Sequence, residues 1–120
     1  MPQLSKIGVI ILVMSKYEKR LKQLVEILSE FKPEKIYTYG SWTKGSAKKD
    51  SDIDLALVVK TNSDTLELKR EIAVKLFDEK YPYDLEPDIR VITKDVFNYR
   101  LSKGDPFVSN VAAGRLIYES

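Results

Sequence analysis

A chain of 120 residues, 43% of them hydrophobic, is long enough for one compact domain and too short for two. Its 20 Lys and Arg against 18 Asp and Glu leave a net charge of +2, so attraction of the whole molecule to nucleic acid or to an anionic membrane is not indicated and any anion site must be local. The absence of cysteine and histidine excludes disulfides, thiolate metal sites, the usual zinc ligand and the usual general base, and it fits a reducing cytoplasm; chemistry must come from carboxylates, hydroxyls, Lys, Arg, Tyr and the backbone.

In chain order, the apolar run IGVIILVM, Ile7 to Met14, is too short to span a bilayer, and its flanks, a single Lys6 and the charged SKYEKR, do not fit a signal peptide. It reads as an extra strand, a helix extension or an oligomer contact, while Met14-Ser-Lys also reads as a start of translation. Residues 1–14 are therefore set apart as an N-terminal extension from a single domain over 15–120. From Ser15, read as an N-cap, Tyr17, Leu21, Leu24, Val25, Leu28 and Phe31 recur at helical spacing, and Pro33 stops the helix. KIYTYG is a short strand ending in a turn at Gly40, and SWTKGSAKKDS is a loop. DIDLALVV is a second strand, with Ile53, Leu55, Leu57 and Val59 on one face and Asp52, Asp54, Ala56 and Val58 on the other.

A second amphipathic helix is predicted from Leu66, Ile72, Ala73, Leu76 and Phe77, capped by Ser63 or Asp64. DIRVIT is a third strand that places Asp88, Arg90 and Ile92 on one face and Ile89 and Val91 on the other. Two short helices follow, the second opening near Pro106, and LIYE reads as a last strand. The expected fold class is α+β, a small mostly antiparallel or mixed sheet with helices packed on one side.

Asp52 and Asp54 share a face about 7 Å apart at Cα, where their charges repel. An unpaired buried carboxylate costs several kcal/mol or becomes neutral, so a cation is the economical partner. Paired carboxylates are hard-oxygen ligands suited to Mg²⁺, and Asp88 is the candidate third ligand; three carboxylates can hold two ions. In the turn GSWTKG, Gly40 and Gly45 allow the backbone close to a ligand, Ser41 offers a hydroxyl and an N–H, and Lys44, Lys48 and Lys49 add charge suited to a triphosphate. The turn is not a P-loop. Blander readings stand beside these: a solvated edge strand for the Asp pair, an Asp88–Arg90 ion pair, a solvated lysine loop, and ordinary packing for Trp42, Tyr37, Tyr39, Tyr81 and Tyr83.

GSWTKGSAKKDSDIDLALVV resembles the signature of the nucleotidyltransferase superfamily that includes DNA polymerase β, and within it the minimal nucleotidyltransferase group. Gly40 and Ser41 match its turn, ten residues intervene, Asp52-Ile53-Asp54 matches its acidic pair, and EPDIRVI supplies the later acid through Asp88. The resemblance implies Mg²⁺ on Asp52, Asp54 and Asp88, with Asp88 assisting deprotonation of an acceptor hydroxyl. It places an NTP on Gly40 and Ser41 beside Lys44 and Gly45, and it implies transfer of a nucleoside monophosphate with release of pyrophosphate. Larger members carry a further domain that shapes the acceptor site. By resemblance to two-gene toxin–antitoxin pairs, the expected partner here is a small helical HEPN-type protein, with ATP as donor and a partner tyrosine as acceptor. A homo-oligomer is a further expectation, and an antitoxin or nucleotide-binding module acting by complex formation is the non-enzymatic alternative.

Overall fold

The computed structural model describes the backbone of residues 6–120 and the side chains from Lys16 onward. The elements are α1 (Lys6–Ser29), β1 (Lys35–Tyr39), α2 (Ser41–Lys44), β2 (Ile53–Val59), α3 (Thr65–Asp78), β3 (Pro87–Thr93), α4 (Lys94–Ser102), α5 (Pro106–Ala112) and β4 (Arg115–Glu119). Ser15 lies inside α1 and is not its cap. The backbone of the Ile7–Met14 run continues the helix, which selects the helix extension over the strand, while the oligomer-contact reading concerns side chains outside the described residues. The loop after Gly40 contains the single turn α2, which sequence reasoning did not separate from its surroundings.

The sheet order is β3-β2-β1-β4. β1 runs antiparallel to both β2 and β4, whereas β2 and β3 are parallel, joined by the crossover helix α3 that a parallel pair requires. The mixed sheet agrees with the expected class. Period-two alternation in β2 divides the interior in two. Ile53, Leu55, Leu57 and Val59 join Tyr17, Leu21, Leu24 and Leu28 of α1 and Ile72 and Leu76 of α3 in the larger cluster. Ala56 and Val58 face the other way, against Tyr37, Tyr39, Ile92, Phe97 of α4, and Val108 and Val111 of α5. Helices therefore cover both faces rather than the one expected: α1 and α3 take one side, and α4 and α5 cover part of the other, because β2 is apolar in both directions beyond Asp54.

Asp64 caps α3, its carboxylate accepting from the Glu67 N–H at 3.1 Å. The core stripe of this helix is Leu68, Ile72 and Leu76; Leu66, Ala73 and Phe77 face solvent instead. Trp42 and Tyr81 are structural. Trp42 stacks on Tyr17 with ring centroids 4.6 Å apart and donates its indole N–H to the Ser51 carbonyl, and Tyr81 is buried with its hydroxyl donating to the Leu85 carbonyl at 2.7 Å. No described helix is long and apolar enough to cross a membrane.

Candidate active site

The carboxylates gather at one end of the sheet because register puts them there. Asp54 pairs with Tyr39 on β1 and with Asp88 on β3, so the three side chains form a row across the sheet. The parallel β2–β3 register thus brings together two acids distant in sequence. Asp52 occupies the exposed, irregular position just before β2 rather than the strand itself, yet its charge still acts on Asp54. Among the described residues, no three acidic side chains converge as a ready-made metal cage.

Burial pushes the Asp54 carboxyl above the ordinary aspartate value, and the like charges of Asp88 and Asp52 push it further, against the opposing influence of Arg90. Tyr39, buried in the same row, has its phenol pushed up to about 12 by burial and then by Asp54 and Asp88. Its hydroxyl stays protonated near neutrality. Arg90 reaches the row with Nε 3.7 Å from Asp88 Oδ1, so the ion pair foreseen for Asp88 is present in a loose form that leaves both side chains about half exposed. Asp54 makes no ion pair among the described residues. Partly buried carboxyl oxygens crowded by like charge and short of a cation fit a hard divalent ion, which takes one or two carboxylates and completes its shell with phosphate oxygens and water.

Gly40 ends β1 at φ +84°, ψ −154°, a conformation essentially restricted to glycine. It is also pressed against the acid: a Cβ built on Gly40 would overlap Asp54 Oδ2. The turn and the carboxylate therefore share one space. Ser41 opens α2, and Thr43 donates its hydroxyl to the Gly40 carbonyl at 2.8 Å, holding the turn. Gly45, at φ +74°, ends α2 in the left-handed region with open space around it, and Lys44, Lys48 and Lys49 are exposed. Lys44 also borders a cleft of about 400 Å³ beside α2, shared with Trp42, Thr43, Asn110 and Arg115.

Some of the surroundings were not legible beforehand. Phe107 meets Tyr39 edge-on at 5.7 Å, and the guanidiniums of Arg90 and Arg100 stand over its ring at 5.7 and 6.0 Å. These groups come from β1, β3, α4 and α5, so no local pattern links them.

A mixed sheet that presents a Gly-Ser turn against one carboxylate, with a second carboxylate in register on the next strand, defines a nucleotidyltransferase-type domain. The chain belongs to the polymerase beta nucleotidyltransferase family, whose model, described as "Polymerase beta, Nucleotidyltransferase", matches residues 22–120. This supports a minimal nucleotidyltransferase domain, and the family generally uses nucleoside triphosphates and divalent metals. Among solved structures, a candidate nucleotidyltransferase from Sulfolobus solfataricus is similar at 19% identity and TM-score 0.61, over 91% of this chain and 86% of that one, a likeness of fold. Comparison with proteins of curated function returns no match.

Proposed function

We propose that residues 15–120 form a Mg²⁺-dependent transferase moving a nucleoside monophosphate, AMP from ATP, onto a hydroxyl. The acceptor in this reading is a tyrosine of a small helical HEPN-type partner. The observation that carries it is the Asp54–Asp88 row with Gly40 set against Asp54, which puts a phosphate-compatible turn and two hard-oxygen donors side by side.

In this reading the Gly40 backbone and the Ser41 hydroxyl and N–H hold the β- and γ-phosphates, with Lys44 adding charge and Gly45 leaving room. Asp52, Asp54 and Asp88 are the residues that would hold Mg²⁺, which supplies charge neutralisation on the transferred phosphoryl group and the leaving pyrophosphate. Asp88, half exposed at the end of the row, accepts the acceptor's hydroxyl proton. The acceptor oxygen then bonds to the α-phosphorus as the bond to the bridging oxygen breaks and pyrophosphate departs. Alignment and electrostatics carry the rate, consistent with a chain that has no histidine. The open side of the row supports a macromolecular acceptor, since Asp52 and Asp88 are reachable from solvent.

The test is incubation with a panel of α-labelled NTPs, Mg²⁺ and the product of the adjacent gene. Label transferred to a partner tyrosine from ATP, and lost with Asp52→Ala and Asp54→Ala, is the expected result. Neutralisation of the partner that survives both substitutions unchanged would instead establish action by complex formation.

A further inference from the structure

Further along β3 from Asp88, a cleft of about 370 Å³ is bordered by Leu66, Lys69, Arg90, Val91, Arg100 and Phe107, and it meets the Asp54–Asp88 row through Arg90. Three elements each contribute a cation to it. Arg100 is paired with Asp105 at 3.1 Å and Arg90 loosely with Asp88 at 3.7 Å, while Lys69 is exposed and makes no ion pair among the described residues. The Phe107 ring, held edge-on by Tyr39, lies under both guanidiniums and fixes them on one side of the cleft. β3 is also the end strand of the sheet, with β2 as its one neighbour among the described residues. Its outer edge offers unpaired backbone groups to an extended chain.

We propose that this cleft is the acceptor-docking subsite, and that it takes an extended segment outside the partner's helices, carrying an acidic residue two positions from the acceptor tyrosine. The inference rests on the reading that the acceptor hydroxyl is seated at the Asp54–Asp88 row. Asp88 and Arg90 are two residues apart on one face of β3, about 7 Å along the strand. A segment paired to the β3 edge with its hydroxyl level with Asp88 therefore sets the side chain two positions away level with Arg90. A carboxylate there meets Arg90, with Lys69 and Arg100 bordering the same cleft, and forms charge-assisted hydrogen bonds. A nucleic acid fits less well: the strand edge offers main-chain pairing that a phosphodiester backbone cannot use, and the net charge is only +2.

The experiment measures fluorescence anisotropy of labelled extended peptides with the full chain. The peptides carry a central tyrosine with Glu two positions away, with Gln in the same place, or with Glu moved by one position; a fourth has the Glu in place and N-methylated backbone, and labelled oligothymidylate is the nucleic-acid probe. The Glu peptide is expected to bind about tenfold more tightly than the Gln peptide, the scale of one charge-assisted hydrogen bond. Shifting the Glu or methylating the backbone should remove that gain, and Lys69→Glu and Arg90→Gln should each reduce it at least threefold (about). Lys69 is exposed on α3, so its variant keeps the fold, as circular dichroism checks. Equal binding of the Glu and Gln peptides, tighter binding of oligothymidylate, or an undiminished preference in both variants overturns the assignment. Binding needs no turnover, so it is read independently of pyrophosphate release from ATP, whose absence would sink the transferase reading instead.

Discussion

Gly40 and Asp54 are coupled more tightly than their separate roles require. Gly40→Ala must adopt a backbone conformation that costs about 1–3 kcal/mol for a residue with a Cβ, and the new methyl meets the Asp54 carboxylate. The expected outcome is a lower melting temperature together with loss of transfer, whereas Gly45→Ala, which meets nothing, carries backbone strain alone and keeps more of the activity. Thermal melts and a labelled-nucleotide assay on the two variants check this. Asp54→Asn should behave in the opposite way. It removes a partly buried charge crowded by Asp88 and Asp52, so the protein melts at the same or a higher temperature while transfer falls about a hundredfold or more. A destabilised Asp54→Asn protein would show that the carboxylate is held for the fold.

Between elements, α1 is tied to the segment preceding β3 by Asp84. Arg20 grips it through Nε at 2.7 Å and Nη2 at 2.8 Å, and Lys16 adds a contact at 3.4 Å. The Arg20 hydrogen bonds hold the Asp84 carboxyl well below the usual carboxylate range. The stability this contributes is therefore full above the unfolded-state value of about 4 and is lost as pH falls through the lower folded value. Partial exposure limits it to about 1 kcal/mol. Asp84→Asn should cost that amount near neutral pH and nothing in strong acid, a convergence that urea unfolding at several pH values would reveal. The same scale shows where periodicity runs out. α3 carries two apolar stripes, Leu68-Ile72-Leu76 and one through Leu66, Ala73 and Phe77, and only packing against β3 and α1 selects the first. In β2, by contrast, alternation leaves no such choice, and from Ile53 to Val59 the division read from the sequence is the one observed. The cap of α3 was equally local, narrowed by sequence to Ser63 or Asp64, and it is Asp64.

Across the whole molecule, a site that binds only the folded chain must stabilise it. Mg²⁺ with ATP at a hundred times its dissociation constant should add about 2.7 kcal/mol, seen as a rise in melting temperature that EDTA reverses and that Asp52→Asn with Asp54→Asn abolishes. No rise with any NTP and Mg²⁺ would count against the triphosphate site. Apart from the single turn α2 and the start of α1, the elements and the Gly-Ser turn with its acidic pair follow from residue order, because side-chain direction along a strand or helix is a local property of a few bonds. Asp88 was readable as an acid on a strand, but its place beside Asp54 depends on the register of a parallel pair, which is set by burial summed over β2, β3 and the crossover α3. The same holds for the overlap of Gly40 with the carboxylate and for the cations that Lys69, Arg90 and Arg100 bring to one edge. Those juxtapositions join residues far apart in the chain, and no window of sequence contains the packing energy that decides them.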